Sequence, residues 1–166
     1  PIFDVEKTLT GFKFIGDKIR KYEKTGEKQF VFGYEESYGC VIKDFVRDKD
    51  AIQAVLTAAE AGNYFKKQGK DLVDVLNDLY AKHGTFKETQ IALSKAGVEG
   101  AQQIKAIMAG LRANAPAEIA GYKVVSVEDY ETSIKVADGQ ETVIDLPKSN
   151  VLKYYLEDGS WIAARP

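Results

Sequence analysis

Gln29-Phe30-Val31-Phe32-Gly33-Tyr34-Glu35-Glu36-Ser37-Tyr38-Gly39 is the stretch from which the first half of the chain is read. Its opening apolar run, Gln29 to Phe32, predicts a buried strand that empties into a polar loop framed by Gly33 and Gly39. Working upstream, Phe12, Ile15, Ile19 and Tyr22 recur at helical spacing. They predict an amphipathic helix over 12–24, with Thr10 as N-cap and Gly26 as terminator. Ile2, Phe3 and Val5 suggest a short opening strand. Working downstream, the aspartates of Arg47-Asp48-Lys49-Asp50 can accept from free backbone N–H groups, and Ile52, Val55, Leu56 and Ala59 open a helix running to about Gln68. A further helix, 71–83, carries Leu72, Val75, Leu76, Leu79 and Tyr80 on one face and ends at Gly84. Helices on a thin mixed sheet make an α/β unit.

Past Gly84 the texture changes. Phe86 to Leu93 reads as a strand, and 101–114 as a helix with Ile104, Ile107, Met108 and Leu111 inward and Pro116 just beyond its end. The remainder is mostly β. Tyr122, Val124 and, after a doublet at Val125, Val127 mark one strand, and Asp158-Gly159 separates Val151–Leu156 from Trp161–Ala164 as a hairpin. This is an α+β unit. The boundary is placed near Gly84, giving units 1–84 and 85–166, with Gly97-Val98-Glu99-Gly100 as a competing break.

Composition removes several function classes. The 166 residues are 45% hydrophobic and 29% charged, which excludes a disordered tail, a collagen-like fibre and a disulfide scaffold. Basic and acidic residues number 23 and 25, a net of −2, so no basic footprint for nucleic acid is present. The single cysteine, Cys40, cannot form an internal disulfide, and the sequence holds no CxxC pair or His/Cys cluster. A reducing, cytoplasmic setting fits, with no apolar run of membrane-spanning length and no signal-peptide pattern. The chain opens on Pro1 and stops on Arg165-Pro166 directly after a strand-like segment. It reads as a piece of something longer.

Chemistry concentrates in the loop after the strand predicted at 29–32, because ligands bind beyond strand ends in α/β sheets. Carboxylates accept hydrogen bonds from sugar hydroxyls, serine both donates and accepts, and glycines let backbone approach a ligand. The arrangement suits a polyol; a solvated turn with its acidic pair in water is the plainer alternative. His83 at a helix C-terminus reads as a dipole partner and Cys40 as a small buried residue. Arg47 and Lys49 read as a solvated charge run.

Gly33-Tyr34-Glu35-Glu36-Ser37-Tyr38-Gly39 resembles the sugar-binding loop of the α-D-phosphohexomutases, the phosphoglucomutase and phosphomannomutase family. Thr8-Leu9-Thr10-Gly11-Phe12-Lys13 resembles the Thr-x-Thr-Gly-aromatic-Lys segment of that family's third domain. Asp158-Gly159-Ser160-Trp161-Ile162-Ala163-Ala164-Arg165-Pro166 is similar to the strand leading into the phosphate-binding loop of the fourth domain. The three motifs stand in family order across almost the whole chain.

The resemblance implies a C-terminal part of a four-domain enzyme, with an α/β third domain followed by a TATA-binding-protein-like α+β fourth domain. The phosphoserine loop and the Mg²⁺ loop would lie outside this chain. The implied reaction exchanges phosphate between the ends of a hexose phosphate through glucose 1,6-bisphosphate. By the resemblance, Glu35 and Ser37 grip the sugar hydroxyls, and Lys13 lies near the reacting hydroxyl or phosphate as a cation or an acid/base group. Arg165 contacts the phosphate that is not transferred, a task suited to the guanidinium fork. Phe12, where some dual-specificity members carry histidine, favours glucose over mannose; Tyr34 lengthens the loop relative to the shorter Gly-Glu-Glu-Ser form. A phosphomannomutase or dual enzyme, and a non-catalytic carbohydrate-binding or interaction module, are the alternatives.

Overall fold

A computed structural model describes residues 3–166. The chain divides into two compact units, one reaching to Gln90 and one beginning at Ile91.

The first unit is built on helix α1 (Phe12–Thr25), hairpin strands β1 (Gly33–Tyr34) and β2 (Cys40–Val41), and helices α2 (Ala51–Lys66) and α3 (Leu72–His83). Helix α1 forms where its apolar spacing predicts. Its start differs, because Gly11 rather than Thr10 occupies the cap position and no side chain caps the helix. Its end is Gly26, whose left-handed φ of 65° lets its N–H donate to the Tyr22 carbonyl, a conformation glycine adopts without a Cβ penalty. Phe12 and Ile19 point inward from α1 and enclose Val41, which is 0% exposed; Ile15, Phe30 and Val46 pack around them. This cluster is the core of the unit.

The strand expected at 29–32 is absent. Val31 and Phe32 are half exposed, and pairing begins only at Gly33, which faces Val41 while Tyr34 faces Cys40 in antiparallel register. Among the described residues no neighbouring strand supplies a ladder at 29–32, and an extended segment without a partner is not a strand. The same holds for Phe3–Lys7 and for Phe86–Leu93, where Phe86, Ile91 and Leu93 are exposed; Ile2, part of the first of these expectations, lies outside the described residues.

Helices α2 and α3 owe their starts to aspartate. Asp50 accepts from the N–H groups of Ile52 and Gln53. Asp71 accepts from Val73 and Asp74, while the Asp74 side chain accepts from the Asp71 N–H, a reciprocal capping box. Their apolar stripes are not covered as the sequence reading expects: Ile52 is 81% exposed, and Val55, Leu56, Leu72, Leu76 and Leu79 are also exposed. A two-stranded hairpin is too small a sheet to bury the faces of three helices.

The second unit opens with helix α4 (Gly97–Ala113), which absorbs the Gly97–Gly100 stretch expected to be a break. A sheet follows, made of β3 (Glu118–Ile119), β4 (Tyr122–Asp129), β5 (Ile134–Ala137), β6 (Gln140–Val143), β7 (Leu152–Leu156) and β8 (Trp161–Ala164). Its order is β6-β5-β4-β7-β8, all antiparallel, with β3 added to β4. The Val124-Val125 doublet that interrupts the alternation is a β-bulge: Val124 pairs with Leu156 and Ser126 with Tyr155, leaving Val125 as the extra residue. Met108 of α4 packs on Leu152 and Tyr154. Arg112 fixes the same helix by donating to Asp129 at 3.1 Å and to Asn150 at 2.6 Å. The turn between β5 and β6 is Asp138-Gly139, with φ of 50° and 74° as a tight hairpin requires.

Two helix glycines separate packing from propensity. A Cβ on Gly16 would sit 2.8 Å from the Arg47 carbonyl oxygen, whereas one on Gly62 would meet nothing within 4 Å. Gly62→Ala is expected to raise stability by about 0.5–1 kcal/mol, and Gly16→Ala to lower it by about 1–3 kcal/mol. Thermal denaturation of both variants checks this; a gain in Tm for Gly16→Ala would show that the contact with Arg47 is loose.

Candidate functional site

The residues between β1 and β2 form a closed loop. The Glu35 N–H donates to the Gly39 carbonyl at 3.0 Å, and the Tyr38 N–H donates to the Glu35 carbonyl at 3.1 Å. Tyr38 takes a φ of 67° to complete the turn. Within this frame the Ser37 hydroxyl donates to Glu35 Oε1 at 2.9 Å, so the two predicted sugar ligands are neighbours. The Glu35 side chain is 13% exposed, although Glu36, Ser37 and Tyr38 are all exposed. Inward Glu35 and outward Glu36 are thus distinguished by the hairpin, which the residues alone do not do.

The loop is anchored on both sides. Val41 enters the core against α1. Beyond it, the Gln53 side-chain carbonyl accepts from the N–H groups of Ile42 and Lys43 at 3.0 and 2.7 Å, and the Asp50 N–H donates to the Cys40 carbonyl at 3.0 Å. Gln53 is buried, so α2 grips the exit of the hairpin through hydrogen bonds shielded from water.

Lys49 is the functional candidate that sequence reasoning passes over as a solvated charge. Its ammonium lies 3.6 Å from Glu35 Oε1, 3.0 Å from Asp48 Oδ1 and 5.4 Å from the centroid of the Phe12 ring. Asp48 first, and Glu35 with it, hold the Lys49 ammonium above the usual lysine range. Lys49 therefore links the Gly33–Gly39 loop to the Thr8–Lys13 segment. The available signal is the cation placed one residue before the Asp50 cap, but its partner, fourteen residues back, is not readable from spacing.

Lys13 is on the exposed side of the first turn of α1, with its ammonium 4.9 Å from the Phe14 ring centroid. Arg165 is exposed and follows β8 in the second unit. Lys13 and the pair Glu35 and Ser37 thus share the first unit, and Arg165 belongs to the other. Among the described residues no three His, Cys, Asp or Glu side chains gather where a metal ion could be held, and no helix is long and apolar enough to cross a membrane.

The segment entering Thr8–Lys13 is tethered by Glu6, which pairs with Lys18 and Lys28, each at 2.8 Å, and accepts from the Tyr22 hydroxyl.

An α/β unit that presents a carboxylate and a hydroxyl on a hairpin loop has relatives among known proteins. Residues 3–83 match the family described as phosphoglucomutase/phosphomannomutase, alpha/beta/alpha domain III. Among curated proteins, the phosphoglucomutase of Staphylococcus haemolyticus is 43% identical over 164 residues, 98% of this chain and 29% of the relative. The phosphoglucomutases of Staphylococcus epidermidis and Staphylococcus aureus are 40% and 39% identical, covering 97% and 98% of this chain and again 29% of the relatives. The chain belongs to the phosphoglucomutase/phosphomannomutase family. It spans under a third of the length of the curated relatives it matches. No solved structure matches it.

Glu6 makes a pH test of the tether possible. Hydrogen bonds from Lys18, then Lys28 and Tyr22, lower its carboxyl from the ordinary 4.5 to about 2. A lowered folded-state value means that the stabilisation is fully present above pH 4.5 and is lost as pH falls from there toward 2. The stability advantage of the wild type over Glu6→Gln, read from urea midpoints, should shrink steadily across that window. An advantage independent of pH would show that the carboxylate charge contributes nothing.

Proposed function

We propose that this chain is the C-terminal portion of a phosphoglucomutase, carrying most of its third domain (1–84) and of its fourth (85–166), and that the complete cytoplasmic enzyme interconverts glucose 1-phosphate and glucose 6-phosphate. The observation that carries the reading is the Glu35–Ser37 pair: a largely buried carboxylate and an exposed hydroxyl 2.9 Å apart in a loop tied to two helices. Two such groups can take neighbouring equatorial hydroxyls of a hexose. Because that hydroxyl pair looks similar when the sugar is turned end for end, one loop can hold the substrate in both orientations. This is what moving a phosphate from one end of the sugar to the other demands.

The roles of the remaining residues follow from their charge. Lys13 supplies a cation, or an acid/base group, beside the reacting hydroxyl or phosphate. Arg165 supplies a bidentate donor for the phosphate that stays in place. Phosphoryl transfer relies mainly on positioning and charge stabilisation, and those are the tasks these side chains perform. The phosphoserine that gives and recovers the phosphate, with glucose 1,6-bisphosphate formed between, and the Mg²⁺ that offsets the phosphate charge belong to the rest of the enzyme. The 39–43% identity to proteins named phosphoglucomutase, together with Phe12 after Gly11, supports glucose as the sugar.

In the complete enzyme, Glu35→Ala should lower kcat/KM for glucose 1-phosphate roughly 10- to 100-fold, the worth of hydrogen bonds to a charged acceptor, and Ser37→Ala by a smaller factor. Both should leave Tm nearly unchanged, because the side chains sit on a loop outside the core. Unchanged kcat/KM with a collapsed Tm would make the loop structural. The 166-residue chain by itself should show no Mg²⁺-dependent mutase turnover in a coupled glucose 6-phosphate assay; measurable turnover would place the phosphoryl carrier within this chain.

A further inference from the structure

We propose that Arg112 and Asn150 are positioning residues: through the Asn150 side chain, the last turn of α4 fixes the corner of the sheet beside which Arg165 leaves β8, so that Arg165 meets its phosphate in one orientation. The inference rests on the reading of Arg165 given above, as the contact for the phosphate that is not transferred. Three observations carry it.

The first is register. Strands β7 and β8 pair Leu152 with Ala164, and β4 and β7 pair Asp129 with the same Leu152. One residue further along, the Tyr130 N–H donates to the Val151 carbonyl at 3.0 Å. Arg165 therefore leaves the sheet at the level of Val151 and Tyr130, directly after the last paired residue of β8.

The second is the guanidinium of Arg112, whose three nitrogens take up three segments that meet near that level. Nε donates to Asp129 Oδ2 at 3.1 Å, Nη1 pairs with Glu131 at 2.8 Å, and Nη2 donates to Asn150 Oδ1 at 2.6 Å. Asp129 ends β4, Glu131 lies in the turn before β5, and Asn150 stands two residues ahead of β7. The Ser149 N–H donates to the Tyr130 carbonyl at 3.1 Å, so backbone and side chain together hold residues 149–151. A planar fork sets the directions of its acceptors as well as their distances.

The third is packing. Met108, Leu152 and Tyr154 form a buried cluster on which Leu111 and Ala164 pack, and the Tyr154 hydroxyl donates to the Leu111 carbonyl at 3.3 Å. Ala164 is the residue before Arg165. The same helix thus pins the approach to Arg165 by apolar contact and the corner opposite it through Asn150.

The chemistry of the task explains the device. A guanidinium that holds a phosphate through two parallel hydrogen bonds works only when its plane is set, and that depends on the backbone that carries it. A phosphate that stays in place is gripped alike before and during transfer. Loosening its contact therefore costs affinity rather than turnover.

The test is a double-mutant cycle in the complete enzyme, with Asn150→Leu, Arg165→Ala and the pair, read as kcat and KM for glucose 1-phosphate together with Tm. Asn150→Leu removes the acceptor and keeps the size of the side chain; it is expected to raise KM roughly 3- to 10-fold with little change in kcat. Asn150→Asp keeps an acceptor for Arg112 and should stay within about twofold of the wild type. In the Arg165→Ala background Asn150→Leu should cost less than about twofold, because the group it positions is gone. Arg112→Met should raise KM as well but also lower Tm, since it leaves Asp129 without its partner. Asn150 is exposed, so its variants read the kinetic effect without that loss of fold.

An unchanged KM in Asn150→Leu, whatever its Tm, would overturn the inference and leave the role of Arg165 standing. A penalty of equal size in both backgrounds would overturn it too, because the corner would then act other than through Arg165. Asn150→Asp as impaired as Asn150→Leu would show that the acceptor is not what matters, with the same consequence. Arg165→Ala with unaltered kinetics would overturn the reading of Arg165 itself.

Discussion

Burial of Val41 between Phe12 and Ile19 is the contact on which the first unit depends. An isolated two-stranded hairpin is marginal in water, and strands β1 and β2 are two residues each. Without a fully enclosed side chain to fix its second strand, the loop from Glu35 to Gly39 would sample many conformations. With Val41 docked, the loop inherits the rigidity of α1. Gln53 then completes the anchorage from α2 by taking the two N–H groups that follow the hairpin.

This constraint explains why the polar residues of the loop divide as they do. Glu35 lies next to the paired part of the hairpin and turns inward, where Ser37 and Lys49 meet it. Glu36 and Tyr38 stand at the tip and face solvent. The motif that begins at Thr8 contributes Phe12 to both purposes: its ring buries Val41 and also lies under the Lys49 ammonium. One aromatic residue therefore couples core packing to the geometry of the candidate site.

The helices were legible because their periodicity and caps are local. Asp50, Asp71, Gly26 and Gly84 all mark ends within a residue of where the structure places them. The strands were legible only where a partner lies nearby in sequence, as in the β7–β8 hairpin around Asp158-Gly159. The segments 29–32 and 86–93 carry strand-like composition but have no strand to pair with among the described residues, and composition does not report partners. The β5–β6 hairpin shows the converse. Its Asp138-Gly139 turn is the same signal as Asp158-Gly159, but its strands are short, and β6 is exposed along its whole length, so no hydrophobic alternation drew attention to it. At the site, the motifs located Glu35 and Ser37 but not Lys49, because an ion pair across fourteen residues is created by the fold.

The role of the hairpin loop depends on whether it meets the sugar. A crystal structure of the complete enzyme with glucose 1-phosphate bound would decide this directly. The predicted result is that Glu35 and Ser37 lie within hydrogen-bonding distance of two adjacent ring hydroxyls. A sugar bound elsewhere, with the 33–41 hairpin facing only solvent, would contradict it.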